Sequence, residues 1–335
     1  MSRWSTHVGR WAAGLALGVG LIAGPGNSSA VERLAASYSA VSGAFVGAWM
    51  AKDGGFLEKH GLQVELVYIA AAPKATQAAL AGDVPIGFWG GTAVVLGRLG
   101  GADTVIVASV VDTVIFSLLT LPQIRRPEDL RGKTIAVSRF GSSSDFSTRV
   151  ALKRWGLEPM KDVMLLQSGG HPESLAAMQQ GHVQGATISS PTTIRARRLG
   201  YHELIDLGKL GIQYHHTSLN TTESYIARKP DTVRRFVRAY VEAVHRTRVD
   251  RELTTKIVAS YARTTDPEIL NEVLDVWLRY SKEIPYPSPE GLKTILDEIA
   301  PRNPKARTLK PEDMVRPTFI REMEEQGVFR ALYRR

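Results

Sequence analysis

Hydroxyl groups, glycines and a few cations, gathered where strands run into helices, carry most of the chemistry available to this chain. The densest group is Arg139-Phe140-Gly141-Ser142-Ser143-Ser144-Asp145, between an apolar strand pattern (Thr134 to Ser138) and a helical pattern reaching about Trp155. A glycine there lets the backbone come close to a ligand, and consecutive amides with hydroxyls at a helix start form an anion receptor. Ser142 and Ser143 are the favoured contacts, because the charge of Asp145 would oppose an anion. Arg139 either supplies counter-charge or faces solvent. The same serines would also serve as ordinary helix caps.

Other strand ends repeat the geometry. Ser39 and Ser42 close the first strand, and Ser189 and Ser190 precede Pro191 at another helix start. In Trp89-Gly90-Gly91-Thr92, Trp89 is a cleft wall or a core residue, while Gly91 and Thr92 offer an amide and a hydroxyl. Lys74 follows Ala71-Ala72-Pro73 and pairs with an acid or stays on the surface; His171 sits at the counterpart loop as a helix-start residue. Asp112 and Glu223 could hold an amine or cap a hinge. Phe45, Trp49 and Met50 have helical spacing and read as core.

Catalytic chemistry finds little support. There are no cysteines, hence no thiol nucleophile, disulfide or thiolate metal site. Nucleophile-elbow, zinc-protease, dinucleotide and phosphate-loop motifs are missing, and the His215-His216 pair lacks helical metal spacing. No cofactor and no metal are expected.

The elements that must position these groups alternate between strand and helix, and two stretches echo each other 99 residues apart. Pro73, Ala78, Gly82 and Val84 match Pro172, Ala177, Gly181 and Val183. Each copy reads as strand, helix opened by Pro, Gly stop, strand, which predicts two similar α/β lobes with a ligand cleft between them. From Pro230 onward the pattern is nearly all helical, and this tail has no sheet of its own, so it should pack on the first lobe. The chain then crosses between lobes near Asp112–Val114 and near Asn220–Tyr225. The expected domains are 31–113 plus 223–335 for lobe one and 114–222 for lobe two.

Residues 1–30 read as a secretory signal peptide: Arg3 and Arg10, an apolar run from Trp11 to Ala23, then Gly24-Pro25-Gly26 and a Ser28-Ser29-Ala30 cleavage site. Cleavage after Ala30 takes the formal net charge from +9 to +7. The run is shorter than the roughly 20 residues a membrane span needs. With no cysteine for lipid attachment, a free periplasmic protein is expected in a two-membrane bacterium. The basic residues are dispersed; their densest group, Arg234, Arg235, Arg238, Arg246 and Arg248, reads as a solvated helix face, so nucleic acid is not an expected partner.

Four stretches, Phe45–Leu66, Ala79–Gly91, Asp129–Asp145 and Ala176–Pro191, together resemble the periplasmic solute-binding proteins of ABC importers. The nitrate/sulfonate/taurine-binding branch, which shares its domain with thiamine-pyrimidine-precursor proteins, is the most similar, over roughly residues 31–300. The resemblance implies a two-lobed type II binding-protein fold with two crossover hinge strands and a helical C-terminal tail. It also implies a monomer that closes on a small-molecule ligand and docks on an inner-membrane ABC permease driven by its ATPase. The single-turnover pyrimidine synthases of the superfamily carry a cysteine-rich motif, which this chain lacks. A small organic anion, a sulfonate or carboxylate, suits Ser, Thr and Gly edges that Arg or Lys could supplement. A neutral heteroaromatic stacked on Trp89 and Phe140 is the alternative, as is a ligand sensor for a signalling system.

Overall fold

The computed structural model describes residues 31–333; the expected signal peptide and its cleavage site lie outside them. Short alternating strands come first. In β1 (Glu32–Tyr38) and β2 (Leu62–Tyr68) the two pair in parallel from Glu32–Leu62 to Tyr38–Tyr68. Leu62 and Val64 point inward while Gln63 and Glu65 point to solvent, the period-two pattern of a strand covered on one face. β3 (Ile86–Trp89) and β4 (Thr104–Thr113) are buried and almost continuously apolar, as expected for strands covered on both faces. β5 (Ser117–Thr120), β6 (Thr134–Val137), β7 (Met164–Gln167), β8 (Gly185–Ile188), β9 (His202–Asp206) and β10 (Gln213–Thr222) complete the set.

Two five-stranded mixed sheets result, in the orders β2-β1-β3-β10-β4 and β7-β6-β8-β5-β9. They correspond position for position: three parallel strands, then one antiparallel to both of its neighbours. The sequence echo marks this correspondence. The helices Ala72–Ala81 and His171–Gln179 begin 99 residues apart, as do β3 and β8. Gly82 and Gly181 follow those helices at φ +89° and +75°, the left-handed backbone that glycine adopts without steric cost.

One boundary differs from the sequence reading, which placed residues 114–222 in the second lobe. β10 hydrogen-bonds to β3 and β4 within the first sheet, so the return crossing lies between Asp206 and Gln213, not near Asn220–Tyr225. The outward crossing runs through Val114–Phe116, between β4 and β5.

The C-terminal region is helical and packs on the first sheet. The long helix Pro230–Val249 buries Val233, Phe236, Val237, Tyr240, Val241 and Val244, with Tyr240 4.8 Å from Phe88 by ring centroid. Helices Arg251–Ala262, Pro267–Tyr280 and Pro289–Ile299 follow. Two of them open with Pro, where the missing N–H costs nothing. Backbone bonds from Ser109 to Pro285 and from Arg316 to Ile106 fix the tail along β4. Among the described residues no helix is long and apolar enough to cross a membrane.

Candidate functional site between the lobes

The C-terminal ends of the parallel strands in both sheets converge on one cavity of about 30 Å³, close to the volume share of a single water molecule. The first lobe contributes Ser39, Ala40 and Phe45 from the β1 edge, with Ala71 and Ala72 from the helix start after β2. The second contributes Ser138, Ser142, Ser143, Ser144 and His171. Two more rings complete the lining: Phe116 in the outward crossing before β5, and His216 near the start of β10.

The serine group has a defined local cause. β6 ends at Val137 and the 12-residue helix Ser143–Arg154 begins six residues later. Ser142 caps that helix, its hydroxyl accepting from the Asp145 amide at 3.4 Å. The hydroxyls of Ser138, Ser142 and Ser144 bond one another at 2.7–3.1 Å, and Ser144 also accepts from the Ser138 amide at 2.9 Å. Hydroxyl hydrogens rotate, so this trio can turn outward to donate to a ligand at the positive end of the helix. Gly141, at φ +79°, donates its amide to the Asp145 carboxylate at 2.9 Å. Burial pushes the Asp145 carboxyl up, against the pull of Arg149 and that amide.

Across the cavity, Ala71 holds φ +70° and ψ +134°, a conformation L-residues rarely adopt and one that costs about 1–3 kcal/mol. It places the Ala71 amide 3.0 Å from the Ser39 carbonyl.

His216 and its neighbour His215 show why adjacent strand residues have different fates, since successive side chains point to opposite faces. His215 turns away from the cavity, with Nδ1 2.6 Å from the Ser109 hydroxyl and 3.3 Å from Asp112, and Nε2 2.6 Å from the Ser288 carbonyl. Burial pushes Asp112 up, but His215 and Lys282 outweigh it and hold the carboxyl below its usual range. His216 turns inward, tilted on Phe116 at 4.7 Å, and its buried Nδ1 has no protein partner. Phe116 also meets His171 edge-on at 5.5 Å. Burial lowers His171 to about 4, and burial together with the neighbouring His171 lowers His216 to about 3, so both imidazoles are neutral at neutral pH.

The lobes are in contact around this cavity. The Gly43 amide donates to the Ser190 carbonyl at 3.1 Å, and Ser189 donates to Ser42 at 2.9 Å. Tyr214 on β10 donates to Ser143 at 2.7 Å and shares a 2.9 Å bond with Thr92. On the outer rim, Arg197 pairs with Glu272 at 2.5 Å, Arg198 pairs with Asp266 and Glu268, and Lys153 lies 3.3 Å from Glu298. This is a closed arrangement of the two lobes.

A family model described as NMT1/THI5 like matches residues 42–250. The chain belongs to the NMT1/THI5-like family. No curated protein sequence matches this NMT1/THI5-like chain. Among solved structures it is similar to the alkanesulfonate-binding protein SsuA from Xanthomonas axonopodis pv. citri bound to MOPS, with TM-score 0.73 and 20% identity over 86% of this chain and 99% of that one. The periplasmic aliphatic sulphonate binding protein SsuA from Escherichia coli gives TM-score 0.67 and 21% identity over 85% and 92%. The desulfurization enzyme DSZB gives TM-score 0.60 and 15% identity over 88% and 99%. At these identities the likeness concerns the fold, which is that of the periplasmic binding proteins.

Of the residues singled out in the sequence, Ser39, Ser142 and Ser143 line the cavity of this NMT1/THI5-like protein. Ser42, Ser189 and Ser190 form the interlobe contact beside it. Gly141 shapes the loop without lining the cavity, and Arg139 keeps a buried Nε with no protein partner. Lys74 is exposed. Trp89 is a core residue, fully buried, and not a cleft wall. Gly91 packs where a Cβ would lie 2.9 Å from His215, and Thr92 acts through Tyr214. Phe140 is 40% exposed and off the lining. Ser144, inside the candidate group though not among its favoured contacts, and His171, read as a helix-start residue, also line the cavity; sequence reasoning passed over Ser138, Phe116 and His216, and it read Phe45 as core. The signal for His216 was its place in a largely polar run, Gln213 to Thr222, whose burial demands a strand with its polar groups assigned.

Proposed function

We propose that this NMT1/THI5-like protein is an extracytoplasmic solute receptor that binds a small organic anion, a sulfonate or carboxylate, in the interlobe cleft and passes it to an ABC permease. The observation that carries the reading is the Ser138–Ser142–Ser144 hydroxyl cluster at the start of a 12-residue helix, facing the strained Ala71 edge across the closure. Such a helix start offers amides and rotatable hydroxyls to an anion without a fixed cation. The sulfonate-binding names of two structural relatives support the ligand class. A periplasmic location and a monomeric receptor follow from the same reading.

Binding without turnover is the favoured mode. His171 Nδ1 lies 3.1 Å from the Ser189 hydroxyl, but burial alone sets its basicity and no carboxylate bears on it. An activated serine needs a base oriented by a third group. A second reading, a neutral heteroaromatic ligand, draws on Phe45 and Phe116 as faces of the cavity.

The cavity of about 30 Å³ is too small for a substituted ligand, so binding requires the lobes to part and reclose. The test is a thermal-shift screen in sulfonate-free buffer against alkanesulfonates, carboxylates, nitrate and pyrimidines. A ligand at about 100-fold its Kd adds about 2.7 kcal/mol, which raises Tm by about 4 °C for a chain of this size. Stabilisation by a pyrimidine with none by any anion would overturn the anion reading.

A further inference from the structure

Twelve residues line the cavity, and none is Arg, Lys, Asp or Glu. The ionisable side chains among them are His171 and His216, 5% and 3% exposed, with the Phe116 ring against both. Of the charged groups on the elements packed around them, Arg139 on the loop after β6 has a buried Nε without a protein partner but does not line the cavity, and the others are engaged elsewhere. Asp145 is held by Arg149 and the Gly141 amide, and Asp112 by Lys282 and His215. On the helix His171–Gln179, Glu173 lies beside Gly170 and the Tyr68 hydroxyl. Tyr214, whose hydroxyl is bonded to Ser143 and Thr92, meets the His216 ring edge-on. An anion enclosed here therefore meets hydroxyls, amides and two neutral imidazoles, one of which has a buried nitrogen with no protein partner.

We propose that ligand capture in this cleft is proton-linked: the anion is enclosed together with one proton taken from solvent, which settles on the His171–His216 pair. The proposal rests on the anion-receptor reading. An unaccompanied anion out of water is costly. A negative charge within about 4–6 Å of an imidazole favours its protonated form. The two rings are near enough to disfavour double protonation, so the pair takes up one proton rather than two. The bond balance is simple: a neutral imidazole gains an N–H, and no covalent bond in the ligand changes. The receptor thus selects ligands that are anionic in solution yet are carried as a net-neutral pair. Affinity then rises as pH falls, over the range where the liganded imidazole titrates.

Calorimetric titration of the protein with ethanesulfonate and with propanoate, at pH 7.0 in phosphate and in Tris, reads the proton directly, because the two buffers differ in ionisation enthalpy. The expected result is uptake of about half to one proton per ligand, and an affinity that weakens up to about tenfold from pH 7 to pH 8. The H171Q/H216Q variant should bind with no proton uptake; should it fail to fold, the wild-type proton count decides by itself. Binding with equal enthalpies in both buffers overturns the proton linkage and leaves the anion receptor standing. Uptake that persists in H171Q/H216Q overturns its assignment to these residues. Failure of both anions to bind overturns the receptor reading and this inference together.

Discussion

Acidification from pH 7.5 to pH 5.0 should destabilise the ligand-free protein through the two cleft histidines. In the unfolded chain a histidine titrates near 6.5. Burial lowers His171 to about 4, and burial with the neighbouring ring lowers His216 to about 3. Between those values and 6.5 the unfolded state binds more protons than the folded one, so stability rises with pH across that window and falls as pH drops through it. At pH 5.0 the unfolded state gains about 2 kcal/mol from each histidine relative to pH 7.5, or about 4 kcal/mol for the pair. Neither ring is more than 5% exposed, so solvent screening takes little from this figure. Carboxylates with lowered pKa contribute later. Glu242, which burial pushes up but His60 and Lys59 bring down to about 2, loses its stabilisation only below about 4.5.

The assay is urea unfolding followed by tryptophan fluorescence at pH 7.5, 6.0 and 5.0, in piperazine or phosphate free of sulfonate and carboxylate. The informative quantity is the pH-dependent loss in wild type minus that in H171Q/H216Q. It cancels other titrating groups, including His245, which burial and nearby arginines also lower. A difference of several kcal/mol is expected, growing steadily from pH 6.5 downward. A wild-type loss below about 1 kcal/mol, or an equal loss in the variant, would refute the claim that these rings are buried and neutral.

Further perturbations test closure and packing. Replacing Arg197 and Arg198 by Ala removes the rim pairs to Glu272, Asp266 and Glu268; at about 0.2–1 kcal/mol per exposed pair, the open population should rise several-fold, read as a larger radius of gyration in small-angle scattering, and 0.5 M NaCl should mimic it. Tyr214→Phe removes the hydroxyl bridging Thr92 and Ser143 and should cost about 1–3 kcal/mol in urea unfolding, because Thr92 is left buried without a partner. Ser142→Ala removes the cap of the helix Ser143–Arg154, with an expected loss of about 1 kcal/mol and a weaker anion response in the thermal-shift screen. Gly47→Ala would set a Cβ 2.7 Å from the Trp277 ring and 3.1 Å from Tyr240, and overpacking of this kind should cost about 1–3 kcal/mol with ligand affinity unchanged.

Much of the fold was legible because its signals are local and repeated. The Pro-opened, Gly-stopped helices after Ile69 and Gly170 fix the spacing of both lobes, and Phe236 with its helical partners declares the tail's buried face. β10 was not legible. Its sequence, Gln-Tyr-His-His-Thr-Ser-Leu-Asn-Thr-Thr, has neither the alternation of a half-buried strand nor the apolar run of a central one, yet all but Gln213 is buried. Its polar groups are absorbed one by one: Ser218 and Asn220 bond the Trp89 carbonyl, and Thr221 bonds that of Pro85. Placing β10 in the wrong lobe shifted the second crossing by about ten residues, because only tertiary pairing distinguishes this strand from a loop.

The site was legible to the same extent and for the same reason. Strand-end serines are a local rule, and Ser39, Ser142 and Ser143 obey it. What sequence could not supply is the character of the space they enclose. Phe116, just before β5, and His216, near the start of β10, both line the cavity although 100 residues separate them in the chain. Lys74 and Arg139, the cations available at strand ends, are not among its lining residues. The anion site we propose cannot rely on a permanent positive charge in its lining. It must draw on helix ends, hydroxyls and whatever proton its histidines accept, and this ties the ligand's charge, the closure of the lobes and the pH of the compartment into one equilibrium.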